Sequence, residues 1–357
     1  MSTALIDSYR GDARASLRAA FASVPNAVLT LIAALVAGAV LVPFTRWALI
    51  EARWSGTPAD CRAPSVGACW AFIGHKLPFI LFGLYPATER WRPELATALL
   101  LAVVISSLVP YCWRRSLVIA WVVALAGFLW LMGGGAALSR VPTQDWGGLP
   151  ITALLTVVGL GLGFPLGIML ALGRRSQHAV PRLTATAIVE IVRGVPLVAV
   201  LYLAVLVVPL ALASGVEIDK LVLAQGGVAV FAAAYLAEAV RAGLQIVPGR
   251  RADAARALGL GWWQATRLVV LPEALRIVVP SFVSIAVGFF QDTSLIVIIG
   301  LFDLLNTARL AAQDPAWLGF HTEAYVFVGL VYFTVSALVS RYGSWIERRL
   351  GVSTRRV

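Results

Sequence analysis

The sequence predicts an all-α integral membrane protein with about eight transmembrane helices, and three observations predict it. Of 357 residues, 60% are hydrophobic and 13% charged, about half the charge of an ordinary soluble domain. Charge is absent altogether from residues 19–45, 95–113, 116–139, 149–173 and 194–216, and about 20 apolar residues let a helix cross a bilayer core. The arginines gather at the ends of such runs, as Arg114-Arg115, Arg174-Arg175, Arg250-Arg251, Arg348-Arg349 and Arg355-Arg356.

The first run opens near Phe21, after Arg10, Arg14 and Arg18, and its 27 residues exceed the apolar region of a cleaved signal peptide. It is a retained span. Three shorter runs, 221–237, 277–291 and 324–340, are extended by mildly polar neighbours and bring the number to eight. Arginine clusters mark the cytoplasmic side. The amino terminus, the loops 113–115, 174–183 and 241–276, and the carboxyl terminus then lie inside. The loops 51–93, 140–147, 211–220 and 303–322 lie outside. Eight spans satisfy this alternation; seven or nine break it. The net charge of +11 is thereby a mark of membrane topology, and nucleic acid is not an expected partner.

Residues 1–145 hold three spans and the outer loop 51–93. Residues 148–345 hold five spans, and 346–357 form a basic cytoplasmic tail. The later spans are interrupted by Gly159, Gly161, Gly163, Pro165 and Gly167, then by Pro196, Pro209 and Pro280. Small residues let helices approach closely in lipid, and interrupted helices also line transporter substrate paths. Cys61 and Cys69 share the outer loop, where a disulfide and two free thiols both remain open. Cys112 reads as a small apolar filler. His75, His178 and His321 are dispersed in loops, so no metal site is expected.

The inner loop 241–276 carries the densest pattern. Pro248-Gly249 ends the preceding element and Arg250 to Leu258 reads as a short helix. Ala254, Ala255 and Ala257 keep it thin, and Gly259 suits the left-handed residue that ends a helix. Leu258, Leu260, Trp262 and Trp263 offer apolar anchors, and Pro272 suits the start of the next helix. A thin helix below the membrane fits the helix-in-groove mode of recognition. No Gly-x-x-x-x-Gly-Lys-Ser/Thr loop occurs, so the chain has no cradle for ATP phosphates, and no constellation suggests a catalytic residue.

Asp-Ala-Ala-x-x-x-Gly at 253–259, followed by Val270-Leu271-Pro272, resembles the Glu-Ala-Ala loop of ABC importer inner-membrane permeases. Ala234 to Gly243, Arg193-Gly194-Val195-Pro196-Leu197 and Asp292-Thr293-Ser294-Leu295 resemble the polar amino-acid uptake branch, over about 147–345. Gly67 to Phe72 and Glu89 to Pro93 resemble the larger permease subunit of the general L-amino-acid transporters. The sequence departs from that pattern at Asp253, where Glu is usual, and at Gln291, where Lys is frequent.

The resemblance implies a type I ABC importer permease core of five helices plus three amino-terminal ones, in a bacterial inner membrane. It implies that Asp253, Ala254, Ala255, Ala257, Leu258, Gly259, Leu260 and Pro272 couple to a separate ABC ATP-binding subunit, present in two copies, which holds the ATP and magnesium; this chain itself is then no enzyme. It implies a second homologous permease subunit and a periplasmic amino-acid-binding protein as partners. An ion-coupled secondary transporter is the alternative, but it predicts inverted repeats and a carboxylate relay, and neither is visible.

Charge inside a bilayer costs about 2.5–3.5 kcal/mol by insertion scales and needs a use. Glu238 and Arg241, three apart on a helix, read as a structural pair. Glu190 and Arg193 read either as such a pair or as part of the translocation path. Asp292-Thr293-Ser294 reads as a polar island for the ammonium group that all amino acids share, or as interhelical hydrogen bonding.

Overall fold

The computed structural model describes residues 20–212 and 215–351. Arg10, Arg14 and Arg18, and the last six residues of the basic tail with Arg355-Arg356, lie outside the described residues. The chain divides into two compact units, one ending at His75 and the other beginning at Lys76.

In the first unit, α1 (Val24–Thr45) continues through a π-helical turn, Arg46–Ile50. Ser23 caps it by accepting from the Asn26 backbone N–H, and Pro25 falls in its first turn, where a missing donor costs nothing. None of α1 is buried within the protein, as suits a helix that meets lipid. The loop after it is tied by Arg53 N–H to the Ala68 carbonyl (2.8 Å) and by a Cys61–Cys69 disulfide. Trp70 Nε1 donates to the Ala48 carbonyl at 2.7 Å.

Helix α2 (Trp70–Phe82) leads into the second unit. There α3 (Trp91–Leu108) and α4 (Arg115–Gly133) form a hairpin; α3 stops before Val109-Pro110 because a residue preceding proline avoids the helical region. Arg92, fully buried, holds the open end of this hairpin. It donates to the Leu131 carbonyl (2.6 Å) and the Ser139 carbonyl (3.0 Å) and pairs with Glu89. Helix α5 (Leu149–Arg174) follows a two-residue strand β1 (Gly147–Gly148).

The charge-free run 194–216 predicts a span interrupted at Pro196 and Pro209, and the structure places a sharp bend at the first of these. Helix α6 (Ala179–Gly194) and the helical segment α7 (Leu197–Ala211) meet at a 110° bend. Val195 is extended and Pro196 follows it; proline lacks the N–H that would carry the helix on. Helix α6 also occupies half of the expected inner loop 174–183.

Helix α8 (Lys220–Ile246) is the centre of the unit: 61% of its apolar window is buried, against 0% for α1. It runs five residues past the predicted loop start at Arg241 and ends where Val247 precedes Pro248. A short helix α9 (Gly249–Ala257) and a bent helical run α10 (262–277) complete the inner segment. Then α11 (Val279–Asp292) continues as a 3₁₀ turn, Thr293–Ile299, to strand β2 (Phe302–Asp303). Strand β2 pairs in parallel with β1, Gly148 opposite Asp303. Helices α12 (Leu304–Ala311) and α13 (His321–Leu350) follow. Among the described residues seven helices are long and apolar enough to cross a bilayer, and the bent pair α6–α7 makes eight.

Helices α5 and α8 pack through small residues. A Cβ at Gly163 would come within 2.7 Å of Ala232 Cβ, and one at Gly167 within 2.9 Å of Leu236 Cβ. Only glycine permits so close an approach, and dispersion between the two surfaces holds helices together where lipid removes the hydrophobic drive.

Candidate functional site

The inner segment is built by its own local chemistry. Pro248 is extended and caps α9, and its fixed φ suits that entry. At the far end the Leu260 N–H donates to the Ala255 carbonyl (3.2 Å) and the Gly259 N–H to the Arg256 carbonyl (2.9 Å), the paired bonds of a Schellman ending. Gly259 has φ +82°, which glycine adopts at no steric cost.

Asp253, Ala254, Ala257, Leu258 and Gly259 are exposed, Leu258 at 84%. Ala255 is buried instead, facing the rest of the chain, and Leu260 is half-buried. Pro272 stands in the first turn of the α-helical part Leu271–Ile277, as its residue type predicts. It lies within α10, just after the π-helical turn Thr266–Val270, a wide turn of the kind that absorbs a missing proline donor. Arg251 pairs with Glu273 and fastens α9 to α10; Glu273 drew no notice in the sequence because its partner is 22 residues away. Asp253 accepts from Arg256 at 3.3 Å within α9, so its carboxylate is engaged locally.

Five charged side chains from three helices meet where the end of α5 approaches α6 and α8. Arg174 donates to Glu190 (2.7 Å) and to Glu238 (3.0 Å). Glu238 also accepts from Arg241, at 2.5 and 3.0 Å, and lies 3.5 Å from Arg193. The expected Glu190–Arg193 pair along α6 is therefore replaced: each turns to a different helix, because α8 places Glu238 between Arg174 and Arg193. The Glu238–Arg241 pair is present as one edge of this larger cluster. Arg193 also lies over the Tyr235 ring, 5.6 Å from its centre.

Tyr235 is one wall of a cavity of about 340 Å³ between α8 and α11. Phe231 and Tyr235 face Ser284, Gly288, Phe289 and Asp292 across it. Asp292 is half-buried, and among the described residues its carboxylate has no hydrogen-bond or ion-pair partner. Thr293 and Ser294 do not join it. The Thr293 hydroxyl is buried and donates to the Phe290 carbonyl (2.9 Å), and the Ser294 carbonyl accepts from Asn306 Nδ2 (2.9 Å). The turn to 3₁₀ geometry at Thr293 rotates them away from the cavity.

One buried group escaped the sequence entirely. Asp303, placed there in an outer loop, is wholly buried and caps α12. It accepts from the Leu305 and Asn306 backbone N–H groups, at 3.2 and 3.1 Å, and from the Tyr332 hydroxyl at 2.8 Å. Burial pushes its carboxyl above the usual range, while these hydrogen bonds pull the other way. An Asp before an apolar run is the capping signal that could have revealed it. Among the described residues no group of three or more His, Cys, Asp and Glu side chains could hold a metal ion.

The family described as "Binding-protein-dependent transport system inner membrane component" matches residues 163–352, which include the bent pair α6–α7, the Glu238 cluster, α9 and the Asp292 cavity. The chain is 42% identical to the inner membrane amino-acid ABC transporter permease protein YhdY of Escherichia coli, over 92% of this chain and 90% of that one. It is 32% identical to BztC of Rhodobacter capsulatus, a permease protein of a glutamate/glutamine/aspartate/asparagine transport system, over 85% of each chain. A solved structure described as an amino acid ABC transporter with histidines aligns with a TM-score of 0.50 and 27% identity, covering 56% of this chain and 90% of that chain. The chain is thus a multi-pass inner-membrane permease of the ABC importer type, and it belongs to the family of binding-protein-dependent transport system inner membrane components.

Proposed function

We propose that this permease forms half of the translocation pathway of an ATP-driven amino-acid importer. The observation that carries the reading is α9. It is a thin, solvent-facing helix with a glycine stop, hung between the long helices α8 and α11 and pinned to the chain by Ala255 and the Arg251–Glu273 pair. Its exposed residues Asp253, Ala254, Ala257 and Leu258 are the face offered to an ABC ATP-binding subunit, in helix-in-groove fashion. That subunit supplies the ATP and magnesium and works as two copies; this chain contributes no catalytic residue. A second homologous permease offers the other coupling helix and the other half of the pathway. A periplasmic amino-acid-binding protein delivers substrate to the face of α12.

In this reading both termini are cytoplasmic, 148–345 is the transporting domain, and 1–145 is an extension with the periplasmic loop 51–93. The names of YhdY and BztC support amino acids as the substrate class. An unpaired carboxylate in a small cavity suits their shared ammonium group, and makes Asp292 the substrate-path residue. Glu190, Arg193, Glu238 and Arg241 serve the inner end of that path as a structural cluster. The test is to co-express the permease with its neighbouring ATPase, second permease and secreted binding protein, then reconstitute them in liposomes. ATP-dependent accumulation of an amino acid, abolished when the binding protein is omitted, is the expected result. Accumulation driven by an ion gradient without ATP overturns it.

A further inference from the structure

A second cavity, of about 660 Å³, lies at the inner ends of α5 and α8, closed from below by α9 and α10. Its polar lining is cationic or neutral: Arg175, Ser176, Gln177 and His178 from the α5–α6 connection, Arg256 from α9 and Thr266 from α10. No Asp or Glu lines it. Arg175 is held by one bond, from Nη1 to the Leu244 carbonyl at 2.8 Å, which leaves most of its five donors unused. Arg256 spends one long contact on Asp253, which stands outside the lining, at 3.3 Å. The nearby Arg251 is matched by Glu273. The remaining wall is apolar, with Leu172, Leu260 and Trp262.

We infer that this cavity binds a phosphate-bearing anion, and that its source is the headgroup of an anionic phospholipid of the inner leaflet. A guanidinium fork matches phosphate oxygens bidentately, and two of them, from different elements, line this one cavity. An inorganic phosphate would occupy only a small part of the space and leave the leucine and tryptophan wall unused. A glycerophospholipid uses both, with its phosphate on the arginines and its glycerol and first methylenes on the apolar wall. The cavity also sits where such a headgroup lies, at the ends of two membrane-spanning helices, and basic pockets between helices on this side are suited to anionic lipids. The inner-leaflet assignment rests on the orientation proposed above. With the phosphate bound, α9 is linked through Arg256 to the Arg175 end of α5, so the lipid props the coupling helix against the transporting domain.

The test uses the assembled transporter, purified in mild detergent and returned to nanodiscs. Wild type is expected to retain phosphatidylglycerol or cardiolipin, counted by native mass spectrometry, through exchange into zwitterionic lipid. Arg175→Gln with Arg256→Gln is expected to weaken retention about fivefold for each arginine, while Arg250→Gln, which does not line the cavity, leaves it unchanged. Equal retention by the double variant and wild type overturns the site. Saturation by millimolar inorganic phosphate with no lipid retained overturns the lipid source. Loss of the ATPase subunit with lipid retention intact shows instead that the arginines contact that protein, and also overturns the inference. In wild type alone, a photoactivatable phosphatidylglycerol is expected to label 172–178 and 262–270; label confined to α1 contradicts the site even if no variant assembles. Normal uptake with no lipid bound would defeat this inference and leave the importer reading intact.

Discussion

Arg174, the last residue of α5, donates to Glu238 in the middle of the last turns of α8 at 3.0 Å, across helices whose sequence positions differ by 64. That bond makes Glu238 the hub of three arginines. Glu238→Gln leaves Arg174, Arg193 and Arg241 facing only Glu190, at a partly buried site. We expect a loss of about 2 kcal/mol, the scale of a hydrogen bond to a charged group, seen as a lower melting temperature by fluorescence-detected size exclusion. Adding Arg174→Gln should recover part of it. Strict additivity of the two losses would show that they are not partners.

Asp292→Ala should abolish uptake while the subunits still co-purify. The carboxylate holds no internal partner, so removing it orphans no donor and should leave the fold unharmed. Uptake at the wild-type rate would take the residue out of the path.

Gly259→Asp tests the coupling helix. A Cβ there meets nothing within 4 Å, and aspartate tolerates the left-handed region better than most side chains. The variant should fold, yet place a new charge beside the exposed face of α9. Loss of ATPase binding, or of substrate-stimulated hydrolysis, is expected; both matching wild type would exclude this face as the docking surface.

Two glycines of α5 should respond oppositely to alanine. Gly163→Ala meets Ala232 Cβ at 2.7 Å and backbone at 3.1 Å, so the helices must part, at about 1–3 kcal/mol. Gly161→Ala meets nothing within 4 Å and should be neutral or gain a little from helix propensity. Thermal melts of the two variants that coincide would show that the α5–α8 seam is not tight.

Lys76 and Asp314 form a pH-dependent tie. Lys76 Nζ donates to Asp314 at 2.7 Å, and this bond, with the Ala316 backbone N–H, holds the Asp314 carboxyl below its usual value. A lowered carboxyl stabilises the folded state above the free-chain value near ~3.9 and loses that contribution as pH falls through its folded value. Hydrogen-exchange protection of 314–317 should therefore persist at mildly acidic pH and fall only below about pH 4. Lys76→Met should move that fall to higher pH. An unchanged profile would show that the lysine is not the cause.

The span pattern and the inner helix were legible because each depends on neighbouring residues. A charge-free run, a Pro-Gly entry and a glycine stop act within a few positions of one another, and α9 ends at the glycine that its type indicates. What was not legible depends on distance. Periodicity pairs Glu190 with Arg193 because they are three apart, yet the fold brings Glu238 between Arg174 and Arg193 from another helix. The same holds for Asp303, whose partner Tyr332 is 29 residues away, and for Arg251 with Glu273. Pro196 was visible as a helix-bending residue, but a local sequence signal carries no angle. The 110° turn it accompanies follows from what α6 and α7 each pack against.

The glycine seam between α5 and α8 settles what can move. Two helices meshed at Gly163 and Gly167, and bolted by Arg174 to Glu238, behave as one beam. Phe231 and Tyr235 belong to that beam, whereas Ser284 and Asp292 belong to α11. The two sides of the smaller cavity therefore ride on different levers, and α9 and α10 form the crank between them. In the proposed importer, a force applied to the crank would reach the cavity as a change in its width, not as a bend in either wall.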